Sequence, residues 1–157
     1  MSDISNYEDI MDSRDIIERI GEIEPWHVEW TEAPETAVSL DVASFATRDD
    51  ADAYLAESED RDALEVVEYE DEADELKTLT ELVEELRQSS GDSPEDGITL
   101  IRDSYFKDYA IQFAEDIGAI EDNARWPATC IDWDKAADEL QMDYTSVQFG
   151  DVTYWVR

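Results

Sequence analysis

The chain has 157 residues, of which 44 are Asp or Glu and 11 are Lys or Arg, giving a formal net charge of −33. Charge of this size excludes useful affinity for nucleic acid or an anionic membrane surface, since both are gripped by Lys and Arg that displace counterions. Hydrophobic residues make up 42% and aromatics 10%, so the chain can still bury the core of one or two small domains.

No apolar run approaches the ~18–20 residues a membrane span needs. The acidic start, MSDISNYEDIMD, has neither the basic nor the apolar region of a secretory signal. One cysteine, Cys130, excludes an internal disulfide and any multi-cysteine zinc site. These features point to a protein of the host-cell cytoplasm.

In chain order, residues 4–23 carry Ile4, Tyr7, Ile10, Met11, Ile16, Ile17, Ile20 and Ile23, with Asp9, Asp12, Asp15, Glu18 and Glu22 on the complementary side. Asp12-Ser13 is placed to cap a helix that runs to about Ile20 and is closed by Gly21. Residues 1–24 are therefore read as an amphipathic helix. Residues 25–88 read as an acidic α+β region. Trp26, Val28 and Trp30 alternate with His27 and Glu29, which fall on the outer face of a strand. Leu40, Val42 and Phe45 suggest a second strand. Thr47 reads as the cap of a helix with Ala51, Tyr54 and Leu55 inside. LEVVEY, residues 64–69, is a third strand. The sequence DEADELKTLTELVEELRQ, 71–88, predicts a long helix lined by Leu76, Leu79, Leu82, Val83 and Leu86. Acids at its start and Arg87 at its end suit the helix dipole. SSGDSPEDG, 89–97, is a linker by composition, and 98–157 form the last domain.

The acids are uneven. Between Glu57 and Leu86 stand Glu57, Glu59, Asp60, Asp62, Glu65, Glu68, Glu70, Asp71, Glu72, Asp74, Glu75, Glu81, Glu84 and Glu85, against only Arg61 and Lys77. These fourteen are the candidate partner-binding residues. Acids three or four residues apart on a helix stand about 5–6 Å apart on one face, and duplex DNA carries one phosphate per ~3.4 Å of axis on each strand. Such a surface can present charge at phosphate-like separations to a cleft built to grip DNA.

Other chemistry is poorly supported. The pair Asp132-x-Asp134 starts like a calcium loop, but Ala137 stands where its glycine belongs. Glu68 to Glu75 would hold calcium only weakly, by charge. With His27 the sole histidine, no histidine-pair zinc site exists. Cys130, beside Trp126 and Ile131, reads as a buried structural thiol. No glycine-rich phosphate loop is present, and no cofactor is expected.

In the last sixty residues, Tyr105, Phe106, Tyr109, Ile111, Phe113 and Ile117 recur near a helical period, and Gly118 can stop that helix. Trp126-Pro127 breaks the chain. Asp132 or Asp134 can cap a second helix with Ala136, Ala137 and Leu140 inside. Val147 and Phe149, a Gly150-Asp151 turn, and Val152, Tyr154 and Val156 predict a terminal hairpin. The expected fold is thus α+β: a small acidic strand–helix–strand region and long helix, then a compact, mostly helical domain ending in a β-hairpin.

The order of these pieces resembles the carboxy-terminal domain of the ArdA-type antirestriction proteins of phages and mobile elements. The matching residues are Tyr109, Ala110, Ala114, Glu115, Gly118, Ala119, Pro127, Ile131, Asp132, Trp133, Leu140, Val152 and Tyr154. The motif is carried chiefly by Ile131, Asp132, Trp133 and Leu140. Two positions depart: the family usually has tyrosine where Trp133 stands and a basic residue near Asp138. The resemblance implies a non-enzymatic DNA mimic that occupies the DNA-binding cleft of a type I restriction–modification complex. It also implies pairing into a homodimer, with Trp126, Tyr154 and Trp155 at the seam; read from the residues alone, these aromatics are a small-domain core. The alternatives are an acidic decoy of a CRISPR effector or other basic nucleic-acid-binding host protein, and a salt-adapted interaction domain. The three lysines against eight arginines fit the last.

Overall fold

The computed structural model describes residues 4–121, 123 and 125–157. In chain order its strands and α-helices are β1 (Ile10–Asp12), α1 (Ser13–Glu22), β2 (Trp26–Trp30), β3 (Asp41–Phe45), α2 (Arg48–Glu57), β4 (Leu64–Glu68), α3 (Glu70–Ser89), β5 (Thr99–Arg102), α4 (Phe106–Asp116), α5 (Trp133–Gln141), β6 (Thr145–Phe149) and β7 (Val152–Val156). The fold is α+β with two antiparallel sheets and ends in the hairpin β6–β7. Two compact units divide it: residues 18–80, and residues 1–17 with 81–157.

In the 18–80 unit the three strands lie in the order β3-β2-β4. The period-two pattern of Trp26, Val28 and Trp30 puts Val28, fully buried, on the face that meets Ala51 of α2 and Leu64 of β4. Trp26, Trp30, Phe45, Leu55 and Val66 pack around that cluster. The β-branched and aromatic content of β2 suits a central strand, where both edges are paired. Thr47 starts α2 as its sequence signature predicts, its hydroxyl accepting from the Asp50 N–H at 3.3 Å. Tyr54 is not inside. It sits at the rim, tilted on Phe45 with ring centroids 5.4 Å apart.

In the other unit the sheet order is β1-β5-β7-β6. Its side chains build a core from Ile101, Phe106, Ala110 and Ala137, flanked by Tyr105, Tyr109, Leu140, Tyr144 and Trp155. Burying a side chain such as Phe106 contributes about 1.5–3 kcal/mol. Asp132 caps α5 by accepting from the Lys135 N–H at 3.2 Å. Gly118, at φ 73°, lets the chain turn left-handed just after α4. Gly150, at φ 61°, opens the two-residue turn between Phe149 and Val152, the place where a hairpin of this length wants glycine.

Four expectations need correction. Residues 1–24 are not one helix: Ile10–Asp12 pair with Thr99–Ile101 as strand β1, and α1 starts at Ser13, as the Asp12-Ser13 cap predicts, but runs past Gly21 to Glu22. Thr99–Arg102 form β5, which pairs with β1 and β7, so the last domain carries three strands besides its helices. Residues 89–97 are not a loose linker. Pro94 is buried, and the Ser13 hydroxyl donates to its carbonyl at 2.6 Å while accepting from the Ile98 N–H at 2.7 Å. Cys130 is exposed, not a buried thiol. Neighbouring apolar residues in sequence do not bury a thiol when the chain runs along the surface.

Candidate partner-binding surface

Of the fourteen candidate acids, Glu57, Glu59, Asp60, Asp62, Glu65, Glu68, Glu70, Asp71, Asp74, Glu81 and Glu84 are exposed, and Glu72, Glu75 and Glu85 are half-buried. The half-buried three are all hydrogen-bonded, while of the exposed acids Glu84 accepts from Gln88 Nε2 at 3.2 Å. Glu75 accepts from Arg19 at 2.7 and 2.9 Å, Glu85 from the Gln148 N–H at 3.1 Å, and Glu72 faces Nε2 of His27 at 3.4 Å. Among the described residues the exposed eleven form no ion pair. A carboxylate that loses solvent must regain a partner; one that stays in solvent keeps its charge available.

The backbone decides where these acids point. Glu57 ends α2, and Glu59, Asp60 and Asp62 follow in the turn and the short 3-10 helix Arg61–Ala63. Glu70 and Asp74 are one turn apart on α3, at the ~5–6 Å spacing of phosphate-like charge. Strand alternation sends Glu65 and Glu68 to opposite faces of the sheet. Within the 18–80 unit the acids therefore do not make a single row. Residues 18–80 carry 21 acids against four basic residues, a net of −17.

The sheet face away from α2 holds a second feature. Across the strands Glu29 is flanked by Asp41 on β3 and Glu65 on β4. Like charges placed opposite one another on a sheet destabilise it. Two neighbours relieve the strain. The Tyr69 hydroxyl donates to Glu29, and His27 Nδ1 lies 3.2 Å from Asp41 Oδ1. The Glu29 hydrogen bond, then burial and the surrounding carboxylates, push the Tyr69 hydroxyl up to about 12. His27 is only 7% exposed and stacks on Tyr69 at 3.7 Å and 11°. This corrects the outer-face reading of His27. The alternation was right, but the rings and carboxylates that cover that face come from Tyr69 and the first turn of α3, forty residues on. Tyr69, just where a strand ends and a helix starts, is a faint sequence signal of it.

The three aromatics of the expected seam separate. Tyr154 is fully buried and its hydroxyl donates to the Glu8 carbonyl at 2.6 Å; it belongs to the core and is not at a surface seam. Trp155 is half-buried against Phe106, its indole N–H donating to Asp103 at 2.7 Å. Trp126 is 79% exposed. Of the motif residues, Asp132 is the α5 cap, Trp133 begins that helix, Leu140 packs on the Phe106 cluster, and Ile131 is half-buried ahead of the cap. Among the described residues no three His, Cys, Asp or Glu side chains converge to hold a metal ion, and no helix is long and apolar enough to cross a membrane.

No protein-family profile, curated protein or solved structure matches the chain. The functional reading therefore rests on the residues and their placement.

Proposed function

We propose that the protein is a non-enzymatic DNA mimic that occupies the DNA-binding cleft of a basic host protein, a type I restriction–modification complex by the resemblance of residues 98–157. The observation that carries this reading is the set of nine exposed carboxylates between Glu57 and Asp74, all in the 18–80 unit, that form no ion pair with Lys or Arg among the described residues. An exposed pair contributes about 0.2–1 kcal/mol, and a micromolar complex needs about 8 kcal/mol. On the order of ten contacts must therefore act together, so acids of the turn, of α3 and of the sheet must engage jointly rather than as one row. Such contacts steer association and are weakened by salt. The protein is titrated into a restriction assay at two salt concentrations: inhibition that fades as salt rises supports the decoy.

A second reading has its own observation. Residues 1–17 with 81–157 carry 23 acids against seven basic residues, a net of −16, so the acidity is not confined to one unit. Salt adaptation of an interaction domain would tax every surface in this way. Circular dichroism in dilute buffer separates the two, since a salt-adapted domain loses its fold there and a decoy keeps it. A pull-down from host lysate separates a restriction complex from a CRISPR effector or another basic nucleic-acid-binding protein.

A further inference from the structure

We propose that His27 is a proton-operated latch: held as an imidazolium between Asp41 and Glu72, it fastens the first turn of α3 to the β2–β3 face of the sheet, and that turn loosens when the proton leaves. The geometry requires two donors on one ring. Nδ1 faces Asp41 Oδ1 at 3.2 Å and Nε2 faces Glu72 Oε2 at 3.4 Å. A neutral imidazole has a single N–H and would aim a lone pair at one of the two carboxylates; only the imidazolium donates to both. The latch stands whatever partner the acidic surface binds.

The groups around the ring come from four elements. On β2 itself the neighbour is Glu29, held by the Tyr69 hydroxyl. On β3 they are Asp41 and Ser44, the latter donating to Glu24. On β4 the register partner is Val67. At the start of α3 they are Tyr69, stacked on the ring, and Glu72. None of these is basic, so the ring proton is the only positive charge inside the cluster. It separates Asp41 from Glu72 and places a cation against an aromatic face. Tyr69 is in turn fixed by its N–H, which donates to the Pro25 carbonyl at 2.8 Å. Burial opposes the charged ring, but the hydrogen bonds and charges of Asp41 and Glu72 outweigh it and raise the His27 pKa above its ordinary value.

The sign follows. A pKa higher in the folded than in the unfolded chain means that the latch is fully fastened below about pH 6.5, the unfolded value, and is lost as pH rises through the folded value. His27 is the sole histidine of the chain, so one titration can be followed without overlap.

The test is an NMR titration of the His27 Cε1–H in the full chain from about pH 5.5 to about pH 9.5. Amide exchange of residues 70–75 is measured alongside, as protection factors corrected for intrinsic base catalysis, in the natural chain, Glu72→Gln and His27→Gln. The expected result is a midpoint above the ordinary histidine value and a roughly tenfold fall in protection across that same midpoint. In Glu72→Gln the midpoint falls, and in His27→Gln protection no longer varies with pH. A midpoint at or below the ordinary value, one indifferent to Glu72→Gln, or protection that stays flat through the titration would overturn the latch. Glu72→Gln keeps a hydrogen-bonding side chain of the same shape at a half-buried position, so it tests the idea even where His27→Gln unfolds the unit.

Discussion

The Arg19 guanidinium grips the Glu75 carboxylate in a two-pronged hydrogen bond, Nε at 2.7 Å and an Nη at 2.9 Å, with both side chains largely out of solvent. Planar, paired geometry of this kind is about twice as strong as a neutral hydrogen bond, and partial burial protects it from screening. In a chain with only eleven basic residues, one of them is spent on structure here. A double-mutant cycle with Arg19→Ala and Glu75→Gln is predicted to give a coupling energy of about 1–2 kcal/mol in urea denaturation. Coupling near zero would mean that the pair only decorates the surface.

Ser13 is predicted to be the most costly small polar residue to lose. Its hydroxyl donates to Pro94 and accepts from the Ile98 N–H, and it has no solvent exposure. Ser13→Ala strands the buried Ile98 N–H, at about 1–3 kcal/mol, and leaves the Pro94 carbonyl only the Gly97 N–H at 3.3 Å. A loss of about 1–3 kcal/mol in unfolding free energy is expected, and Ser13→Thr, which keeps the hydroxyl but adds a methyl group at a site with no solvent exposure, is predicted to recover only part of it.

Tyr154 is predicted to matter through its ring more than its hydroxyl. Tyr154→Phe removes one hydrogen bond to Glu8 and should cost about 1 kcal/mol. Tyr154→Ala opens the core and should cost about 3–5 kcal/mol. Neither change should alter the association state measured by sedimentation, because this side chain is fully buried within its own chain.

The tyrosines give a second pH dependence. The Glu29 hydrogen bond lifts Tyr69 to about 12, and burial followed by the Tyr144 hydrogen bond lifts Tyr109 to about 12. A phenol whose pKa is higher folded than unfolded contributes stability below about pH 10, its unfolded value, and loses it as pH rises toward 12. Phenolate absorbance should therefore show a late step that shrinks in Tyr69→Phe and in Tyr109→Phe. Ionisation of all tyrosines in one step near the ordinary value would contradict this.

Much of the fold was legible because its signals are local. Thr47 and Asp132 cap helices by hydrogen bonds three residues away, and Gly118 and Gly150 sit where the backbone must turn left-handed. The alternation of Trp26, Val28 and Trp30 located the central strand. What the sequence hid are pairings over long distances. Ile10–Asp12 is too short to show a period, and it is a strand only because Thr99–Ile101 lies beside it. Ser13 looks like an ordinary helix cap, yet its hydroxyl binds residues more than eighty positions on. Of the candidate surface, the exposure of most acids could be foreseen from their charge. That Glu72, Glu75 and Glu85 would be drawn into hydrogen bonds could not, because His27, Arg19 and Gln148 are brought to them by the fold.

The decoy reading predicts a collective effect. Because each exposed pair is weak, replacing any one of Glu57, Glu65, Glu70 or Asp74 by its amide should change inhibition less than about threefold. Replacing all four should weaken it by more than the sum of small steps suggests, through slower steered association.

The most direct measurement is a competition between this protein and duplex DNA for the purified type I restriction–modification complex, at about 50 mM and about 200 mM salt. The account predicts that the protein displaces DNA at the lower concentration and loses at least about tenfold in potency at the higher. Failure to displace DNA at any ratio, or displacement that ignores salt, would contradict it.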